Sequence, residues 1–145
     1  MEPVPAAIAD LLADHHVLSL AVHDAQGPWA SSAFFAYDPR GVAVVFLGSL
    51  DTRHARAIQA HPQVAGCVAG QPREISQILG LQFSGIARLV EDPGEASRVL
   101  ALYHERFPET RGIASPVWVV TLDEMKLTDN RVKFGAKTHW RRGAD

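Results

Sequence analysis

The sequence predicts a mainly β fold, a closed or nearly closed antiparallel β-barrel with peripheral helices, built as one domain. Six or seven β-like runs are joined mostly by links of about four residues, too short for the crossovers that parallel pairing needs. Only two or three segments have helical spacing, and closing the sheet on itself removes the edges that so many strands otherwise expose. The 145 residues, 47% of them hydrophobic, supply one core and are too few for two ordinary domains.

In chain order, Pro3 and Pro5 lead into Ile8, Leu11 and Leu12, an i, i+3, i+4 stripe that predicts a short helix ending near Asp14. Residues 17–22 read as a strand, 25–28 as a turn, 29–37 as a second strand and 42–47 as a third, together an antiparallel meander. Asp51 or Thr52 caps a helix that runs to Ala60, where His61-Pro62 stops it. A fourth strand covers 64–69, and Cys67 within it reads as a small buried hydrophobe. The segment holding Ile75, Ile78 and Leu79 is too short to assign. Residues 81–90 form a long strand whose alternation puts Leu81 and Phe83 on an apolar face, Gln82 and Ser84 on a polar one. A helix over 95–107 carries Val99, Leu100, Leu102 and Tyr103 and ends at Pro108. The last strands are 117–122 and 132–134 with its extension toward Trp140, flanking a turn at 128–131.

Composition excludes several classes of function. A net charge of −2 supports neither disorder nor the overall electrostatics of a nucleic-acid binder. Residues 126–142 hold six Lys/Arg and one Asp, a local +5 that leaves −7 elsewhere, but no recognition motif accompanies it, so no nucleic-acid partner is expected. The single Cys67 forbids an intrachain disulfide and lacks a flanking base that would activate it. His15-His16 has no third ligand nearby, so no metal is expected. The start of the chain lacks a basic segment followed by an apolar one, and no apolar run reaches membrane-spanning length, which predicts a soluble cytoplasmic protein with no membrane partner. The glycine-rich nucleotide loops, H-E-x-x-H and G-x-S-x-G are all missing.

The most informative passage is residues 46–56, FLGSLDTRHAR. A buried strand runs through Gly48 into a helix whose first turn offers free backbone N–H groups, the Thr52 hydroxyl, the Arg53 guanidinium and the His54 imidazole, a set suited to a phosphate dianion. Spacing alone fits equally a capped surface helix with solvated basic residues. Asp51 opposes an anion unless its carboxylate caps the helix and points away.

On these residues the chain resembles the pyridoxamine 5′-phosphate oxidase-like FMN-binding split barrels, and most closely their YhbP-like bacterial branch, from about Ile8 to Arg142. The resemblance rests on Thr52-Arg53-His54-Ala55, Gly70-Gln71-Pro72, Gln82-Phe83-Ser84-Gly85, Arg106-Phe107-Pro108, Ser115-Pro116-Val117-Trp118, Thr128-Asp129-Asn130 and Phe134-Gly135-Ala136-Lys137, seven pieces in order. It implies an antiparallel FMN-binding split barrel. Thr52, Arg53 and His54 would contact the flavin phosphate and Leu47 and Gly48 would follow the ribityl chain. The backbone of Ser32, Ala33, Phe34 and Phe35 would meet the isoalloxazine edge. It further implies a homodimer with the flavin between subunits, in which Gln82 or the region from Lys137 to Trp140 completes the site across the interface. Read without it, Gln82 is an outward polar residue of a strand and 126–142 a solvated hairpin.

The oxidase proper carries an Arg-x-His pair for its substrate phosphate near the C-terminus. Here that region reads Lys137-Thr138-His139-Trp140-Arg141-Arg142, so oxidation of pyridoxamine phosphate is not implied. The resulting expectation is an FMN-dependent oxidoreductase acting on a small organic redox substrate. A flavin or small-ligand binding module without turnover, or a ligand-free structural dimer, is the alternative.

Overall fold

A computed structural model describes residues 2–144. Eight strands form one antiparallel sheet, curled into a half-barrel, with three helices at its margins. The elements are α1 (Ala6–Asp14), β1 (Val17–Asp24), β2 (Gly27–Phe34), β3 (Ala36–Asp38), β4 (Ala43–Leu47), α2 (Arg53–Ala60), β5 (Gln63–Ala69), β6 (Leu79–Leu89), α3 (Pro93–Arg106), β7 (Val117–Asp129) and β8 (Lys137–Arg141). The strand order is β2-β1-β5-β6-β7-β4-β3, with β8 added beside the second half of β7.

The expected second strand is two. The extended run breaks at Phe35, whose side chain is buried and whose N–H donates to His16 O at 3.0 Å, so β2 and β3, neighbours in sequence, sit at opposite ends of the sheet order. The expected meander is therefore replaced. β1 and β2 make a hairpin, while β4 pairs with β3 and with β7 and not with β2. Local turn chemistry sets hairpins, but which strand lies on the far side of each is decided by packing.

Burial explains the sequence patterns. Residues 117–120 of β7 and 43–46 of β4 are buried on both faces. Trp118, Val120 and Phe46 point into the barrel core with Leu18, Leu20, Leu81 and Phe83. Val117, Val119 and Val45 lie in a second core with Val99, Tyr103 and Phe107 of α3 and its C-terminal end. Unbroken apolar runs are what two-sided burial demands. In β6, buried under one face only, the predicted alternation holds.

Two expectations need correction. Cys67 is exposed, because β5 buries Val64 and Val68 and turns Ala65, Cys67 and Ala69 outward. Residues 132–134 are turn, not strand, with Val132 and Phe134 exposed; β7 runs on to Asp129 and the last strand begins only at Lys137. Of the two caps the sequence offers for α2, Asp51 and Thr52, the structure uses Thr52.

β6 and β7 change register at Ser84/Gly85. A Cβ at Gly85 would fall 2.2 Å from Thr121 O, and one at Gly66 2.4 Å from Ser19 O and Phe83 Cζ, so both positions require the bare backbone. Gly66→Ala and Gly85→Ala should each destabilise the fold by about 2 kcal/mol or more through forced backbone shifts, read as a lower urea midpoint at unchanged slope.

Candidate functional site

The start of α2 is fixed from both sides. β4 ends at Leu47, and Gly48 is held by its N–H to Pro116 O at 3.3 Å and by the Trp118 indole, which donates to Gly48 O at 2.9 Å. Thr52 Oγ1 accepts from Ala55 N at 3.1 Å, closing the cap. That leaves the N–H groups of Arg53 and His54, in the first helical turn, without an intrahelical acceptor, with the positive end of the helix dipole behind them. His54 turns toward the barrel: its Nε2 lies 3.3 Å from Thr52 Oγ1, and a Cβ on Gly48 would sit 3.6 Å from it. Half-buried beside Phe46, His54 has its pKa pushed below the ordinary imidazole value by desolvation.

Arg53 leaves the helix in another direction, toward the β1–β2 turn. Its Nε and Nη2 donate to the two Asp24 oxygens at 2.9 and 3.1 Å, and its guanidinium carbon lies 4.4 Å from the Trp29 ring centroid. The guanidinium beside it holds the Asp24 carboxyl below the usual carboxylate range. The structure thus gathers Thr52, His54, Gly48 and Trp118 and carries Arg53 to Asp24 and Trp29, partners that sequence reasoning missed. Asp24 is 29 residues away, at the end of β1, and no local pattern signals it. Between α2 and that turn runs a groove of about 490 Å³ lined by Asp24, Gln26, Arg53, Arg56, Ala57 and His61.

The predicted segment at 32–35 lies at the end of β2. Ser32 and Phe34 are exposed, Ala33 is half-buried, and Phe34 meets Phe107 edge-on at 5.5 Å. β2 is a terminal strand of the sheet order, so one row of its backbone N–H and C=O groups faces away from β1. Phe35 does not share this freedom, being fully buried with its N–H bound to His16 O.

Gln82 and Lys137 lie elsewhere. Gln82 pairs with Cys67 and Lys126, and Lys126 with His139, on the outward face of the sheet; a small cleft there holds Gln82, Ser84, Glu124, Lys126 and His139. Seven residues of β6 separate Gln82 from Leu89, the partner of Trp118, or about 23 Å along the strand. Lys137 is exposed and donates to Thr128 Oγ1 at 3.0 Å. Trp140 is a correction. It is 2% exposed in the barrel core, and its indole N–H is spent on Glu2 O at 2.9 Å, so it offers nothing to a surface ligand. Among the described residues no group of three or more His, Cys, Asp or Glu is placed to hold a metal, and no helix is long and apolar enough to cross a membrane.

Two outcomes follow from the α2 start. Thr52→Val removes the cap and should cost about 1 kcal/mol of stability. His54, its folded pKa depressed, binds fewer protons folded than unfolded, so its contribution is complete above the ordinary imidazole pKa of about 6.5 and is lost as pH falls below it. NMR titration should find His54 titrating below the ordinary imidazole value, and the stability of His54→Phe should depend less on pH below about 6.5.

The described fold and site can be set against known proteins. The family model for pyridoxamine 5′-phosphate oxidase matches residues 4–132. The UPF0306 protein YhbP of Salmonella paratyphi A is 43% identical over 137 residues, covering 94% of this chain and 92% of that protein. Among solved structures, the heme storage protein HutZ of Vibrio cholerae superposes with a TM-score of 0.68 at 27% identity, over 85% of this chain and 92% of that one. A conserved hypothetical protein of Mycobacterium tuberculosis reaches 0.76 at 21% identity, over 98% and 93%, a likeness of fold alone. The split half-barrel, the matched span and the level of identity agree: this chain is a member of the pyridoxamine 5′-phosphate oxidase family, alongside the UPF0306 proteins.

Proposed function

We propose that the protein is an FMN-binding oxidoreductase-like homodimer of the cytoplasm, acting on a small organic redox substrate and engaging neither nucleic acid nor membrane. The observation that carries this reading is the α2 start. The first turn of α2 offers two backbone N–H groups without an intrahelical acceptor, and the Arg53 side chain that leaves this turn keeps one guanidinium edge unused, donors of the kind a phosphate dianion takes; the Thr52 hydroxyl donates to Ser49 O at 3.3 Å and would have to turn from it to join them. The open backbone edge and exposed aromatic residues of β2 suit a flat heterocycle with its own donors and acceptors. The donors present therefore fit the group. When bound, the flavin supplies the electron-transfer chemistry; Thr52, Arg53 and His54 hold its phosphate, Leu47 and Gly48 line its chain, and the backbone of 32–34 orients its ring.

The dimer is supported by distance. Gln82 and Lys137 lie too far along the sheet to reach the α2 start of their own chain, so their part in the site, which the resemblance implies, would require a second copy. The outward face of β1 and β5 carries the small residues Ser19, Ala21, Ala65, Cys67 and Ala69, which would permit close approach of another sheet.

The purified protein should be yellow, or become so with FMN, and should oxidise NADH or NADPH in air; yellow without turnover leaves a flavin-binding module, and no uptake of FMN overturns the reading. Arg53→Ala should weaken FMN about tenfold to several hundredfold, the loss of one or two charge-assisted hydrogen bonds. It should leave stability almost unchanged, because its ion pair with Asp24 is open to solvent.

Heme binding is the second reading, supported by HutZ being a heme storage protein and by His139, an exposed imidazole beside Lys126 and Gln82. A Soret band on adding hemin, lost in His139→Ala, would favour it over FMN.

A further inference from the structure

We propose that Asp24 and Trp29 are positioning residues for Arg53, fixing its guanidinium so that one edge stays pointed at an incoming phosphate; this rests on the FMN reading above. Asp24 belongs to the last position of β1 and Trp29 to β2, so both are delivered by one hairpin. A guanidinium has five N–H donors along two usable edges and two faces. Asp24 takes the Nε/Nη2 edge with both carboxylate oxygens, and the Trp29 ring covers one face. Arg53 Nη1 has no partner among the described residues and is not buried, so the Nη1/Nη2 edge is open. An arginine can hold two anions at once on its two edges, and Asp24 therefore need not be displaced when a phosphate arrives.

The arrangement has a physical purpose. A free arginine on a helix surface gives up extensive rotamer freedom on binding an anion, whereas one already clamped loses little. Asp24 also adds a negative charge near the phosphate, an opposing effect weakened because that carboxylate is already paired and partly open to solvent. With preorganisation the larger of the two, removing Asp24 should weaken phosphate binding, although it removes a negative charge.

The test titrates the full-length protein with FMN and with riboflavin, which lacks the phosphate. Wild type should prefer FMN. Asp24→Ala should lower FMN affinity about three- to thirtyfold with riboflavin affinity unchanged, and Trp29→Ala should act the same way more weakly. Asp24→Asn, which keeps an acceptor oxygen for Arg53, should recover part of the loss. In the double variant Asp24→Ala/Arg53→Ala, FMN affinity should equal that of Arg53→Ala alone, because Asp24 acts only through Arg53. FMN affinity equal to or above wild type in Asp24→Ala and Asp24→Asn, with Arg53→Ala impaired, overturns the positioning role and leaves the phosphate site standing. Equal wild-type affinity for FMN and riboflavin overturns the phosphate site itself, and the positioning role with it.

Discussion

Everything distinctive about this fold follows from the break at Phe35. An extended run that continued through this residue would keep its neighbours on one side of the sheet. Instead Phe35 drops into the core and its N–H binds His16 O, so β2 stays with β1 while β3 turns to β4 at the other end of the strand order. The two ends of the sheet are thus tied by a covalent link rather than by a ladder of hydrogen bonds. The backbone edge of β2 stays free, beside the loop through which β4 enters α2. A fully paired barrel of the same sequence would have no such edge to offer.

The α2 start then sorts its two basic side chains. Adjacent residues on a helix point about 100° apart, so His54 faces Phe46, Trp118 and Gly48 while Arg53 faces Asp24 and Trp29. Each environment has its own electrical consequence. Burial lowers the pKa of the imidazole, and the carboxylate raises that of the guanidinium and orients it. The first turn of α2 accordingly carries an imidazole of lowered pKa and an oriented cation.

The basic C-terminal segment is less free than its composition implies. Arg142 donates to the carbonyls of Leu122, Gly41 and Val42, the last a β-branched residue held at φ +49° in the β3–β4 turn, where such residues are rarely stable. Arg131 is bidentate to Asp129, and Arg141 pairs with Glu124. Trp140 ties β8 to the N-terminal segment through Glu2. Much of the +5 is therefore structural, and its partners lie within the chain.

The sequence by itself determined the antiparallel β class, nearly every element, the alternation of β6 and the passage from Gly48 through Thr52 into α2, because these are local: turn residues, caps and side-chain periodicity act over a few positions. It also carried the family, since seven short pieces in a fixed order are legible without coordinates. Tertiary structure alone decided the break at Phe35, the burial of Trp140, the exposure of Cys67 and the capture of Arg53 by Asp24. Each of these depends on which surface a residue meets across the fold, and residues as far apart as Asp24 and Arg53, or Glu2 and Trp140, become neighbours only when the sheet has curled around its core.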